Sequence, residues 1–306
     1  MKILTPEQYQ KKGMRLQKME KMASRAMYHA MIKRNKALRK EVIMETRHGH
    51  TRTVWYGFEN PSPGPLLIDL HGGGFILGSP EMDERMNIEW SRLLGCRIIS
   101  IDYPKAPGHP FPAAVDQVYA ILEYLWEHAK VYGIDKARIA IGGHSAGANL
   151  TAVTCMKAKK EGKIQPVCQF MNCPPLDMAT SAIEKPLPKG CIPPKFAYMF
   201  DSSYLAGNDG HDPNISPVYA QDEDLKGLPP ALIIVAGRDS LHDEGVRYYN
   251  RLTENGVDAQ LLDYPFGRHC FMLKKSTLTT DAFEKVTRFL QQHLLGVSAG
   301  ESGQKE

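Results

Sequence analysis

At 306 residues, 42% hydrophobic and 24% charged, the chain has the make-up of a soluble globular protein with one large core. No apolar run approaches the ~18 residues that cross a bilayer, and the start "MKILTPEQYQ" lacks the apolar stretch of a secretory signal, so stable membrane insertion is not expected. The net charge of +4 conceals a split, because residues 1–47 hold 13 Lys/Arg against 4 Asp/Glu and the remainder is mildly acidic.

In chain order, Thr5-Pro6-Glu7-Gln8 has the form of a helix start: a Thr N-cap, Pro in the first turn and Gln three residues on. Helical periodicity is expected to run towards Lys40, with a break. Met19, Met22, Ala23, Ala26, Met27 and Ala30 recur at helical spacing among the basic residues. The lysines and arginines therefore read as the solvated face of an amphipathic helix rather than as a binding patch. Nucleic acid is disfavoured further because no recognised nucleic-acid motif occurs. From Glu41 the pattern turns to short β-rich runs, "EVIMET", "TRTVWYGF", "PLLIDLHG" and "CRIISIDYP". Helices and strands alternate after that, from "AAVDQVYAILEYLWEHAKVYG" through "RIAIGG" to "DAFEKVTRFLQQHLL". Alternation with apolar strands predicts an α/β fold, a mostly parallel, doubly wound sheet covered by helices. The interval 179–216 breaks the rhythm with "KPLPKGCIPPK" and "FAYMF", and reads as an insertion over one end of the sheet. The polar tail 297–306 reads as flexible. Six scattered cysteines without a CxxC pair or a metal-like cluster read as free thiols in a reducing cytoplasm, and no metal or organic cofactor is implied.

The stretch "RIAIGGHSAGANL" carries the chemistry. Gly147 is not followed by Lys-Ser/Thr, which excludes a P-loop, and His144 stands where a Rossmann fingerprint needs glycine. Gly143-His144-Ser145-Ala146-Gly147 is instead a G-x-S-x-G between strand and helix, the setting of a nucleophile elbow. "LHGGGF" follows an apolar strand, and its consecutive glycines let backbone N–H groups turn outward towards an oxyanion, alongside the amide of Ala146. A serine needs a base and an orienting acid. In the order Ser, acid, His, Asp239 follows the strand "ALIIVAG" and His269 the strand "DAQLLDYP"; Asp243 is a rival acid, disfavoured because it falls inside the next helix. His71 reads as a brace for the glycine loop rather than as a base.

With these pieces, "HGGGF", "DYPKAPGHPFPAAVDQ", "IGGHSAGANL", "DSLHDEG" and "GRHCF", the chain resembles the hormone-sensitive-lipase-like branch of the α/β-hydrolases, the bacterial acetyl esterase and carboxylesterase family. The resemblance implies an α/β-hydrolase fold with a helical cap, a triad of Ser145, Asp239 and His269, and an oxyanion hole from Gly73, Gly74 and Ala146, with Gly72 as a possible substitute for one glycine. It implies an N-terminal cap segment (1–45), a catalytic domain (46–178 and 217–296) and a cap insertion (179–216). Two departures stand out: His144 replaces the usual acidic residue before the serine, and Tyr103–Gly108 lacks the usual arginine and glutamate. The expected activity is hydrolysis of short-chain acyl esters through an acyl-enzyme, with small-molecule esters as partners. An amidase or deacetylase on the same triad, or a non-catalytic binding protein on this fold, are the alternatives. The "FAYMF" run serves equally as a wall of the acyl pocket or as packing for the cap. For assembly, a homodimer is the default.

Overall fold

The computed structural model describes residues 4–59 and 62–296, so the tail expected to be flexible lies outside the described residues. Helix α1 (Pro6–Arg34) starts on the anticipated capping box, with Gln8 N–H donating to Thr5 Oγ1 at 3.3 Å and Thr5 N–H to Gln8 Oε1 at 3.1 Å. Lys33 and Arg34 close it, where cations suit the last carbonyls, and a 3₁₀ turn at Lys36–Leu38 makes the break.

Strand β1 (Lys40–Thr46) falls on the run "EVIMET" read as β, pairs antiparallel with β2 (Gly49–Tyr56) and buries Met44 while leaving Ile43 outside, so the last residues of the 1–45 segment belong to the sheet. One expectation for this region is corrected: the methionines of α1 do not form its packed face, since Met19, Met22 and Met27 are 66%, 72% and 65% exposed. The contact strip is instead Tyr9, Gly13, Leu16, Gln17 and Glu20. Gly13 lies where a Cβ would come within 3.2 Å of Ser203 Oγ, so a narrow contact of small and polar residues does what a broad apolar stripe was expected to do.

The remaining strands are β3 (Gly64–Leu70), β4 (Arg97–Ile101), β5 (Ile134–His144), β6 (Gln169–Asn172), β7 (Ala231–Arg238) and β8 (Ala259–Arg268). They form one eight-stranded sheet in the order β1-β2-β4-β3-β5-β6-β7-β8, parallel from β4 through β8 and antiparallel only at β1 and β2. Every residue of β3 is buried, as a central parallel strand covered on both faces requires. Leu66, Ile68 and Leu70 face one core with helices α3 (Ala113–Glu127), α4 (Ala146–Glu161) and α7 (His242–Glu254). Leu67 and Ile98 face the other, with α2 (Glu84–Leu94) and α8 (Thr277–Leu295). Between these come α5 (Pro194–Leu205), inside the 179–216 interval, and the four-residue α6 (Asp222–Leu225). Among the described residues no helix is long and apolar enough to cross a membrane. All six cysteines are free; Cys96, Cys155, Cys168 and Cys173 are buried, whereas Cys191 and Cys270 are partly exposed.

Helix α2 is absent from the reading of the sequence, which passes straight from β3 to β4. Its charged residues mask a Met86, Trp90, Leu94 stripe at four-residue spacing, and that stripe is buried. Trp90 Nε1 donates to Thr287 Oγ1 at 3.0 Å and the indole stacks on Phe283 of α8 at 5.1 Å. Trp90→Ala should cost about 3–5 kcal/mol and lower Tm by roughly 10 °C in a thermal melt; a loss under about 2 °C would show that α2 and α8 do not depend on this contact.

Candidate active site

The turn from β5 into α4 places Ser145. Its backbone sits at φ 50°, ψ −119°, a conformation that costs a non-glycine residue of order 1–3 kcal/mol. The flanking glycines explain how the turn closes. A Cβ on Gly143 would lie 2.5 Å from the Leu70 carbonyl oxygen, and one on Gly147 only 1.9 Å from the same atom. No side chain fits at either position, so the helix can start tight against the end of β3. Ser145 N–H donates to the Asn172 carbonyl (2.8 Å), tying the turn to β6 as well.

Asp239 follows β7 and His269 follows β8, at the same end of neighbouring parallel strands. His269 Nε2 lies 2.9 Å from Ser145 Oγ, and its Nδ1 lies 2.6 Å from Asp239 Oδ2. Asp239 Oδ1 accepts from Leu241 N–H at 3.3 Å. Burial disfavours the charged imidazole, but the Asp239 carboxylate and its hydrogen bond outweigh burial and raise His269 to about 9. Asp243, the rival acid, sits in α7 and pairs with His242 at 2.8 Å, away from this chain of contacts.

The glycine loop after β3 faces the serine. Gly73 and Gly74 adopt φ of 125° and 60°, and a Cβ on Gly73 would strike the Leu77 carbonyl at 2.1 Å. Among the described residues the N–H groups of Gly73, Gly74 and Ala146 have no hydrogen-bond partner, and the last belongs to the first turn of the sixteen-residue α4. His71 is fully buried, stacks on Tyr103 at 4.4 Å and places Nδ1 2.6 Å from the Gly72 carbonyl. Burial, followed by the charge of Lys105, lowers His71 to about 3, so it is neutral and its Nδ1–H donates to that carbonyl.

Helices α1 and α5 lie over the loop. Gln17 Nε2 donates to the carbonyls of Ile76 (2.8 Å) and Ala106 (2.5 Å), and Glu20 accepts from Gly78 N–H at 2.8 Å. In the "FAYMF" run, Tyr198 stacks on Tyr9 of α1 at 6.1 Å, and Met199 and Phe200 pack in the same cluster, while Ala197 and Phe200 also line a small pocket that includes Ser145. Asn149, in the first turns of α4, donates to the carbonyls of Pro175 (2.7 Å) and Ile215 (2.8 Å) and so clips together the two ends of the segment that carries α5. Sequence reasoning assigned Asn149 nothing; its short distance from Ser145 was the available signal.

Among the described residues, two donor groups that chain order hides are close enough for a cation, Cys173–Asp239–His269 and Asp69–Asp83–His144, each with ligand atoms within 4.8 Å of one another. In the first, carboxylate and imidazole are already bonded to each other. The second lies fully buried beneath the elbow and accounts for the unusual His144. Asn172 Nδ2 sits 2.8 Å from His144 Nδ1, which leaves Nε2 to carry the proton towards Asp83 Oδ1 at 3.9 Å. Burial lowers His144 to about 4, so it is neutral. Asp69 accepts from Asn87 (2.7 Å) and Ser100 (2.6 Å) yet is raised to about 6 by burial. The Asp83 carboxyl, whose oxygens have no hydrogen bond among the described residues, is raised well above the usual carboxylate value by burial and then by Asp69. Two such carboxyls cannot both ionise cheaply, and Asp83 keeps its proton.

A strained serine at the β5–α4 turn, a histidine and an aspartate from later strand ends, and this strand order define an α/β-hydrolase. A profile described as the alpha/beta hydrolase fold matches residues 67–273, and the chain belongs to that family, within its hormone-sensitive-lipase-like carboxylesterase branch. The carboxylic ester hydrolase LipN of Mycobacterium tuberculosis is 39% identical over 213 residues, which cover 66% of this chain and 56% of LipN. An ethyl acetate hydrolase of Pseudomonas putida is 29% identical over 264 residues, covering 83% and 82% of the two chains. Among solved structures, a thermostable esterase from Pseudomonas putida superposes with a TM-score of 0.78 at 27% identity, covering 84% of this chain and 83% of that one.

The buried carboxyls give a test through pH. Because folding raises the Asp83 pKa, the unfolded chain sheds this proton above about pH 4 while the folded chain retains it, so the group's contribution to stability falls as pH rises from there. Asp83→Asn has no proton to lose. The Tm of the variant relative to wild type should therefore climb between pH 4.5 and pH 8, by a few degrees for about 1–2 kcal/mol. A difference that stays flat across this range would contradict a protonated Asp83.

Proposed function

We propose that the protein is a serine esterase that hydrolyses short-chain acyl esters through an acyl-enzyme on Ser145. The observation that carries this reading is the unbroken contact chain from Ser145 Oγ to His269 Nε2 and from His269 Nδ1 to Asp239. In this reading neutral His269 takes the Ser145 proton as the hydroxyl oxygen attacks the ester carbonyl, and Asp239 holds the imidazole in the required tautomer and stabilises its positive charge. The amides of Gly73, Gly74 and Ala146 receive the developing oxyanion, each donor being worth roughly 10²–10³ in rate. His269 then protonates the departing alcohol, and the same imidazole activates water to release the acid. Helices α1 and α5 act as the cap. The small volume of the pocket beneath α5, about 40 Å³, and the ethyl acetate hydrolase among the relatives support a short acyl group, from acetate to about hexanoate.

Ser145→Ala should lower turnover of a short acyl ester by of order 10⁶, with the fold intact by circular dichroism. Near-native turnover in that variant would remove the assignment. Across a chain-length series the rate should peak at or below hexanoate, and matched anilides should be cleaved far more slowly; a peak on long-chain triglycerides, or faster anilide cleavage, would redirect the reading. Only neutral His269 accepts the serine proton. With its pKa raised above the ordinary 6.5, kcat/KM should fall on acidification at a pH above 6.5. Asp239→Asn removes the largest opposing charge, so the acid limb should move to lower pH while kcat drops about 10⁴-fold; an unmoved limb would mean that Asp239 does not set this titration.

A further inference from the structure

The pocket beside Ser145 has an unusual wall. Pro175, Ala197, Phe200 and Leu241 supply apolar surface, but Lys185 and Asp201 line it too. Charge beside an apolar pocket is costly unless it is paired. Lys185 is paired: its ammonium lies 2.7 Å from Glu244 Oε2 and donates to the Asp177 carbonyl at 2.6 Å, and its side chain is 9% exposed. The Asp177 carboxylate is in turn met by Arg247 at 2.8 Å. Asp201 is different. Among the described residues its carboxylate has neither a hydrogen bond nor an ion pair, and the cation that acts on it, Lys185, is already committed to Glu244. Burial raises Asp201 to about 6, with Lys185 pulling it back, so it is ionised at neutral pH. Asp201 is thus the carboxylate of the pocket wall left without a partner among the described residues, and the rings of Phe75 and Phe200 line the same wall. An unpaired carboxylate in a pocket lined by aromatic rings suits an ammonium group rather than a neutral chain.

Resting on the esterase reading above, we infer that the enzyme prefers esters bearing a positively charged ammonium group, seated against Asp201 with the phenylalanine rings around it. Asp201 thus acts in specificity and not in the chemical step. A charge-assisted contact of this kind is worth roughly ten- to hundredfold in kcat/KM.

The test uses charged and neutral isosteres on each side of the ester. Acetylcholine is compared with 3,3-dimethylbutyl acetate, and methyl 4-(trimethylammonio)butanoate with methyl 5,5-dimethylhexanoate. In at least one pair the wild-type protein should favour the cation by about tenfold or more. Asp201→Asn should bring that ratio close to one, and Asp201→Glu should restore most of it. The ratio within one protein is insensitive to any general loss of folded enzyme. A ratio near one or below in both pairs for the wild type, or a preference that survives in Asp201→Asn, overturns the inference while leaving the esterase reading in place. Absence of turnover on all four esters beyond that of Ser145→Ala removes the esterase reading and this inference together.

Discussion

The contact on which the site depends is the one between the carbonyl of Leu70 and the two glycines that flank Ser145. Strand β3 ends where helix α4 begins, and the separation leaves no room for a Cβ on Gly143 or Gly147. That closeness forces Ser145 into a conformation at φ 50° that L-residues rarely adopt. The cost is local and the support is broad: β3 is buried throughout, β5 and β6 hydrogen-bond around the turn, and α4 is packed along most of its length. A rigid sheet over-determines a strained residue, which is how such strain persists.

Charge is arranged around that turn in three layers. Directly at the serine, a carboxylate opposes the burial of His269 and keeps its proton affinity high. Beneath the turn, burial keeps His144 neutral, and burial together with the neighbouring Asp69 keeps Asp83 neutral, so the elbow rests on a polar cluster without net charge from those two groups. Above it, the segment carrying α5 brings Lys185 and Asp201 to the pocket wall, and Asn149 clips that segment down from within α4. The same residue types thus do different work according to burial and neighbours, and geometry sorts them.

Much of this was legible in the chain. Period-two and period-3.6 patterns located the strands and most helices, and the capping box at Thr5 predicted the start of α1. The elbow, Asp239 and His269 were legible because each sits just past an apolar strand, and parallel topology brings strand ends to one edge. Other features depend on distance in space rather than along the chain. Helix α2 is rich in charge, and its three-residue apolar stripe has meaning only against α8 and the sheet it covers. The methionines of α1 face solvent because its contact strip is Tyr9, Gly13, Leu16, Gln17 and Glu20, a pairing set by the surface beneath rather than by periodicity. The Asp69–Asp83–His144 cluster draws on three separate elements, and the charges at the pocket wall come from a segment without regular pattern.

The central claim is that the strained turn presents an activated serine hydroxyl to an acyl-like electrophile. Treating the native protein with a fluorophosphonate and mapping the adduct by peptide mass spectrometry tests it directly. The account predicts a single stoichiometric phosphonyl adduct on Ser145, formed much more slowly when His269→Gln is treated alongside. An adduct elsewhere, or an unmodified Ser145 in protein that still cleaves esters, would contradict it.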